Sequence, residues 1–447
     1  MSDKHSSAPR DSFQSRWGFI LACIGSAVGM GNIWRFPIMV SRYGGLTYLI
    51  PYVLFVILIG STGVIEEFAL GRAAGAGPVG AFGMCTAMRG KRSVGEAIGA
   101  IPVIGSLGLA IGYTVVMGWI FRYTFLAYSG GLSAMGQDMD VIGGSFGATA
   151  SAWGANVWIV VAIVVTFLIM VLGISGGIEL VNKVLMPALF GLFLILAVYI
   201  LTLPGSGEGY RYIFTLNAKG LADPNVWIFA FGQAFFSLSV AGNGSIIYGS
   251  YLSRNEAIPS SARNVALFDT LAALLAAIVI LPAMAAGGVS CDSSGPGLMF
   301  IYLVNVFNGM AVGRIVGIVF FTCVLFAGIT SIINLYEVSV AFLQERVHLK
   351  RLPATALILI FGGTVAMCIQ SITSQWMDVV SIYICPLGAL LAGIMFFWVA
   401  GRDFAEQQAS LGSDKPIGKW FFPLGKYVYC ICALIALVAG AMLGGIG

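Results

Sequence analysis

Two short stretches of this 447-residue chain put glycines, hydroxyls and carboxamides inside strongly apolar surroundings. They are Gly25-Ser-Ala-Val-Gly29-Met-Gly31-Asn32 and Ser239-Val-Ala-Gly242-Asn-Gly244, with Ser237 just ahead of the second. Glycine clusters weaken a helix, and a helix that opens leaves N–H and C=O groups without partners. In hydrocarbon that is tolerable only where something polar takes their place. The amino end of a half-helix offers N–H groups and partial positive charge to a carboxylate. Carbonyls and hydroxyls, in turn, can replace the water shell of a small cation. A zwitterionic amino acid bound together with sodium meets both demands. Material for other chemistry is scarce: the only histidines, His5 and His348, lie outside the apolar runs. Zinc-type ligand clusters and a phosphate-binding G-x-x-x-x-G-K-[ST] loop are absent from the sequence, which argues against an enzyme and against ATP as the energy source.

The elements that must position these residues are membrane helices. Hydrophobic residues make up 59% of the chain and charged ones 9%, whereas a soluble domain is about a quarter charged. Runs of about 20 apolar residues, enough to cross a hydrocarbon core of about 30 Å, recur throughout. We place eleven spans at 16–40, 45–71, 96–128, 153–174, 177–203, 224–252, 259–287, 311–346, 353–372, 377–401 and 420–446. The first is too long for a signal peptide and lacks a small-residue cleavage site, so it reads as a retained span. Most of the 23 basic residues fall in alternate connections, while 129–152 and 286–310 contain no lysine or arginine. The positive-inside rule then puts the amino terminus in the cytoplasm of a multi-pass inner-membrane protein and the carboxyl terminus outside. The same distribution accounts for the net charge of +4 and argues against nucleic acid as a partner. The eight cysteines lack a framework spacing and read as buried hydrophobes. Because the two glycine-rich spans stand five apart, and five is odd, a second five-span unit must enter the lipid bilayer upside down. The organisation expected is a tail at 1–15, one five-helix repeat at 16–203, its inverted copy at 224–401, and an eleventh helix at 420–446. This is an all-α membrane protein with an inverted 5+5 repeat and broken helices 1 and 6.

The segment Gly25-Ser-Ala-Val-Gly-Met-Gly-Asn-Ile-Trp-Arg-Phe-Pro37, followed by Gly44-Gly45 and Ile50-Pro51-Tyr52, closely resembles the neurotransmitter:sodium symporter family. The likeness is strongest to its bacterial amino-acid transporters, and it continues through Glu67-Phe-Ala-Leu-Gly-Arg72 and from Val226-Trp227 to Gln233-Ala-Phe-Phe-Ser-Leu-Ser239. Tyr248-Gly-Ser-Tyr251, Phe326-Ala-Gly-Ile-Thr-Ser331 and Ala341-Phe-Leu carry it further. The resemblance implies sodium-coupled symport of a small hydrophobic or aromatic L-amino acid by alternating access.

By that resemblance a first sodium takes oxygens from Ala27, Asn32, Ser237 and Asp269 and from the substrate carboxylate. A second sodium takes them from Gly25, Val28, Ala327, Thr330 and Ser331. The substrate would lie among Ser26, Ala27, Met30, Gly31, Leu109, Tyr113, Phe236, Ser237, Ser239, Gly242, Ser331 and Leu335. Tyr113 would donate to its carboxylate. Gly29 stands where monoamine-carrying relatives have aspartate, so the substrate here is expected to bring its own carboxylate. Gly242 replaces a phenylalanine of leucine-transporting members and leaves space for a bulky side chain. Arg35 and Asp378 match an outer gate with Phe236 as its lid. Arg10, Tyr251 and Glu345 match an inner gate, although Phe13 and Glu345 replace the usual tryptophan and aspartate. Glu67 is expected to brace the opened sixth helix, and Gly177 with Pro187, separated by nine residues, to mark an unwinding of helix 5. Asp269 replaces a sodium-ligating asparagine, and Ala273 a serine of chloride-dependent members. The resemblance therefore implies no chloride requirement. A proton-coupled permease of the same fold and a non-transporting amino-acid receptor are the alternatives.

Overall fold

The computed structural model describes residues 12–29, 31–288 and 297–444, and every regular element among them is a helix. The spans are Arg16–Ala27 with Gly31–Tyr43, Gly45–Ala74, Arg92–Ser129, Asn156–Val171 and Ile174–Leu201, then Pro224–Ser237 with Gly244–Gly249. Ile258–Ala286, Gly313–Arg346, Arg351–Cys368, Gln370–Ala400 and Phe421–Leu443 bring the helical segments to eleven, of which eight, or nine with the bent first pair, are long and apolar enough to cross a membrane among the described residues. Each falls on a segment expected from hydropathy, and the first and sixth are the broken ones. Local chemistry sets several starts. Ser15 caps the first span by accepting from the Gly18 N–H, and Asp223 caps the sixth ahead of Pro224, whose missing N–H costs nothing at a helix start.

Burial separates a central group from a lipid-facing shell. In the most apolar stretch of the third and eighth spans 72% and 67% of residues are buried inside the protein, against 33% and 28% for the fifth and eleventh. Lipid tails are as apolar as leucine, so close approach through small residues has to hold such helices together. Gly71 and Gly249 illustrate this. A Cβ on Gly71 would stand 1.9 Å from the Ile246 carbonyl oxygen, and one on Gly249 would stand 2.6 Å from that of Phe68. The inner half of the sixth span therefore lies backbone against backbone on the second.

One expectation differs from what is seen. Between Gly177 and Pro187 the fifth helix is intact: wide π-type turns run over Ile174–Glu179, and a regular α-helix continues from Leu180 through Pro187 to Leu201. A proline removes one hydrogen bond, and in this conformation the π turns absorb the irregularity without opening the chain.

The glycine packing gives a direct check. Gly71→Val should destabilise the protein by about 1–3 kcal/mol or more, because backbone cannot yield as a side chain can. Gly191→Val, at a lipid-facing position with nothing within 4 Å, should leave the melting temperature in detergent nearly unchanged.

Candidate functional site

The first span bends by 51° just after Ala27, where Val28 takes an extended backbone (φ −74°, ψ 95°). Across the opening the Gly29 N–H donates to Asn32 Oδ1 at 3.1 Å, and the Asn32 N–H donates back to the Gly29 carbonyl at 3.1 Å. In the sixth span Ser239 and Asn243 both sit in the left-handed region, at φ 58° and 49°. That geometry costs about 1–2 kcal/mol per residue for a side chain bearing a Cβ. Each offsets it with a buried bond: Ser239 Oγ donates to the Ser26 carbonyl at 2.7 Å, and Asn243 Nδ2 donates to Glu67 Oε1 at 2.8 Å. The two breaks are thus stitched to one another, and the sixth is braced by the second span as expected of Glu67.

Between the breaks lies a small cavity. Its walls include Ser26, Ala27, Gly31, Leu109, Tyr113, Phe236, Ser237, Ser239, Gly242, Ser331 and Leu335, all expected from the sequence. Met30, also expected there, lies outside the described residues. Leu109, Leu335 and Phe236 make one side apolar. A Cβ on Gly242 would come within 3.2 Å of Leu335 Cδ2, so Leu335 itself packs against this glycine and fills much of the room expected there. A Cβ on Gly29 would stand 2.4 Å from Ser331 Oγ, which keeps that wall free of any side chain.

Two oxygen-rich clusters flank the cavity. Asp269, fully buried in the seventh span, accepts from Asn32 Nδ2 at 2.7 Å and from Ser237 Oγ at 2.8 Å, so three spans converge on one carboxylate. Ala27, the fourth residue of that set, lines the adjoining cavity wall. In the second cluster Ser331 Oγ lies 3.5 Å from the Gly25 carbonyl, while Thr330 Oγ1 donates back to Ala327 O at 3.1 Å. Val28 follows at the end of the same helix, its N–H donating to Ile24 O at 2.6 Å.

The gate residues are differently disposed. Arg35 lies over the Phe236 ring, 4.9 Å from its centroid, and among the described residues no ion pair joins it to Asp378. In this conformation its cation faces the aromatic lid instead. On the inner side Tyr251 Oη donates to Glu337 Oε1 at 2.8 Å, and Glu345 accepts the Gly77 N–H at 3.0 Å. Arg10 lies outside the described residues. Phe13, in place of tryptophan, stands edge-on to Tyr248 and Tyr251 with ring centroids 5.7 and 6.4 Å away.

Sequence reasoning passed over two buried polar positions near the site. Asn334 lines the cavity, and its spacing of three and four residues from Ser331 and Thr330 puts it on their helical face, a signal that was available. Glu337 is fully buried yet held bidentately by Arg351 at 3.0 and 2.9 Å, linking the eighth span to the start of the ninth. Nothing in the sequence pairs these two.

Compared with known proteins, residues 10–136 and 146–437 match the sodium:neurotransmitter symporter family. The chain belongs to that family. It is therefore a multi-pass membrane transporter coupled to sodium, within a family of carriers rather than enzymes. It is 30% identical to an uncharacterised sodium-dependent transporter of Methanocaldococcus jannaschii, over 96% of this chain and 89% of that one. An uncharacterised sodium-dependent transporter of Bacillus subtilis is 31% identical over 95% of each. The crystal structure of MhsT in complex with L-phenylalanine superposes with a TM-score of 0.85 at 32% identity, covering 96% of this chain and all of that one. The architecture of this symporter is accordingly the inverted repeat with two broken helices.

The bracing bond to Glu67 can be separated from backbone strain. Asn243→Gly loses the donor but sits easily at φ 49°, whereas Asn243→Ala loses the donor and keeps the strain. Thermal melting should rank the alanine variant below the glycine variant by about 1 kcal/mol.

Proposed function

We propose that the symporter carries a hydrophobic or aromatic L-amino acid into the cell together with two sodium ions, by alternating access between the two sides of the inner membrane. The observation that carries the reading is the junction itself. A cavity with an apolar side is closed on its polar side by two helix breaks, Tyr113 and the Asn32–Ser237–Asp269 cluster. The breaks and Tyr113 suit a carboxylate, and Leu109, Phe236 and Leu335 suit an apolar side chain. The MhsT structure, solved with L-phenylalanine, supports the same substrate class.

In this reading the first sodium binds among Ala27, Asn32, Ser237 and Asp269 and touches the substrate carboxylate. The second binds among Gly25, Val28, Ala327, Thr330 and Ser331. Arg35, Asp378 and Phe236 close the outer side; Arg10, Tyr251 and Glu345 close the inner side, with the amino terminus in the cytoplasm and the carboxyl terminus outside. The units that move against each other are the repeats at 16–203 and 224–401, with the eleventh helix beside them. Unwinding between Gly177 and Pro187 would belong to an inward-facing conformation.

Because the carboxylate is shared, sodium and substrate must raise each other's affinity by one factor, typically about 5–150-fold. Uptake of labelled L-phenylalanine into proteoliposomes should follow an inward sodium gradient and vanish when potassium replaces sodium. Should uptake follow a proton gradient in potassium instead, or L-phenylalaninamide bind as tightly as the free acid, the shared-ion scheme fails.

Asp269 gives a second expectation. Two sodium ions and a zwitterion bring positive charge into a low-dielectric site, where an uncompensated charge is very costly. Asp269 carries the compensating charge within the protein, and the neighbouring Ala273 has no group to donate to an anion. Uptake with gluconate in place of chloride should be unchanged, and Asp269→Asn should reduce sodium affinity at least about tenfold. A strong chloride requirement in the unmodified protein would overturn this role.

A further inference from the structure

Asn182, on the fifth span, belongs to neither cluster described above, yet it is fully buried and reaches the second of them. Its amide orientation is set locally, because Nδ2 donates to the Ile178 carbonyl one turn back at 2.8 Å. Oδ1 must therefore point the other way, and it is a buried oxygen without a hydrogen-bond partner among the described residues. A buried acceptor left in that condition is disfavoured, and each case calls for a physical explanation. The direction supplies one. A Cβ built on Gly25 would fall 1.9 Å from Asn182 Oδ1 and 3.0 Å from Thr330 Cβ. The oxygen is thus aimed at the place where Gly25, Thr330 and Ser331 come together, and a larger residue at 25 would push it out of that place.

The approach is from a defined side. One turn before Asn182 is Glu179, which is buried, accepts the Gln14 N–H at 2.7 Å and Ser15 Oγ at 2.8 Å, and pairs with Lys183 at 2.6 Å. These contacts mark the capped start of the first span, its cytoplasmic end in the topology above. Carbonyl oxygens of carboxamides are good ligands for hard cations, and an uncharged one adds no like-charge or counter-charge penalty to the site.

We infer that Asn182 supplies a further oxygen to the second sodium, on its cytoplasmic flank, so that the fifth span is part of the ion's coordination and not merely a neighbour of it. The inference rests on the two-sodium reading above and adds a residue to it. It also gives Gly25 a specific reason: the first span must pass close enough for helix 5 to reach the ion.

The test uses the full-length protein purified in detergent, titrated with sodium chloride against potassium chloride at constant ionic strength, with the sodium-induced rise in melting temperature as readout. Asn182→Leu keeps the branched outline of the side chain, with somewhat more bulk, and removes the oxygen. Its sodium half-saturation should rise about tenfold or more, while the melting temperature in potassium stays near that of the unmodified protein. Asn182→Asp retains an oxygen at the same reach and should have a half-saturation at or below the unmodified value. A purely structural asparagine would lower melting in sodium and potassium alike and leave the half-saturation where it was, and that result would overturn the assignment. An aspartate variant as weakened for sodium as the leucine variant would overturn it too, and remains informative if the leucine variant does not fold. Failure of the broader reading looks different: the unmodified protein would then show no sodium-specific shift at all.

Discussion

Everything distinctive in this molecule follows from the rule that a peptide group in hydrocarbon must have a partner. The other spans obey it largely within themselves, as continuous helical turns of α, 3-10 and π type with a local turn at Thr62. The first and sixth do not: the Gly29 N–H is taken up by Asn32 of the same span and the Ser26 carbonyl by Ser239 of the sixth, while Glu67 holds the Asn243 side chain within the sixth break. The last two bonds tie one span to another, so the breaks are fixed points around which the surrounding helices pack. The same arrangement leaves polar surface toward the cavity, so the structural solution and the binding surface are one feature.

Charge at membrane depth is handled by the same economy of partners. Asp269 gathers an amide and a hydroxyl from two broken spans, and Glu337 is neutralised by a bidentate arginine from the next helix. Glu66 is the exception. Both its carboxyl oxygens are buried without a hydrogen-bond partner among the described residues, directly beside Glu67. Only Glu67, bonded to Asn243, has a part in bracing the sixth helix.

Glycine does most of the positioning that large side chains would do in a soluble core. At Gly71 and Gly249 it lets the inner half of the sixth span lie on the backbone of the second, and at Gly25 it admits a carboxamide from the fifth. These contacts leave no room for adjustment, so the two sides of the cavity are set by backbones. The outer lid, by contrast, is a half-buried phenylalanine under a guanidinium, which is free to rearrange without disturbing a helix.

The sequence by itself determined the solvent, the number and order of the spans, the two breaks and nearly all of the cavity lining. Hydrophobic run length and glycine placement are local quantities, and lipid leaves the chain no alternative to helix. The motif around Gly25 to Pro37 marked the family, because polar residues at membrane depth are few and distinctive. Tertiary structure alone decided which side chains meet across the chain: Glu337 with Arg351, Asn182 with Gly25, and Arg35 over Phe236 rather than paired with Asp378. It also decided that helix 5 is closed between Gly177 and Pro187 in this conformation. A proline or glycine weakens a helix wherever it stands, but whether the helix opens depends on the neighbours that can accept the freed groups, and those neighbours are brought into place only by the fold.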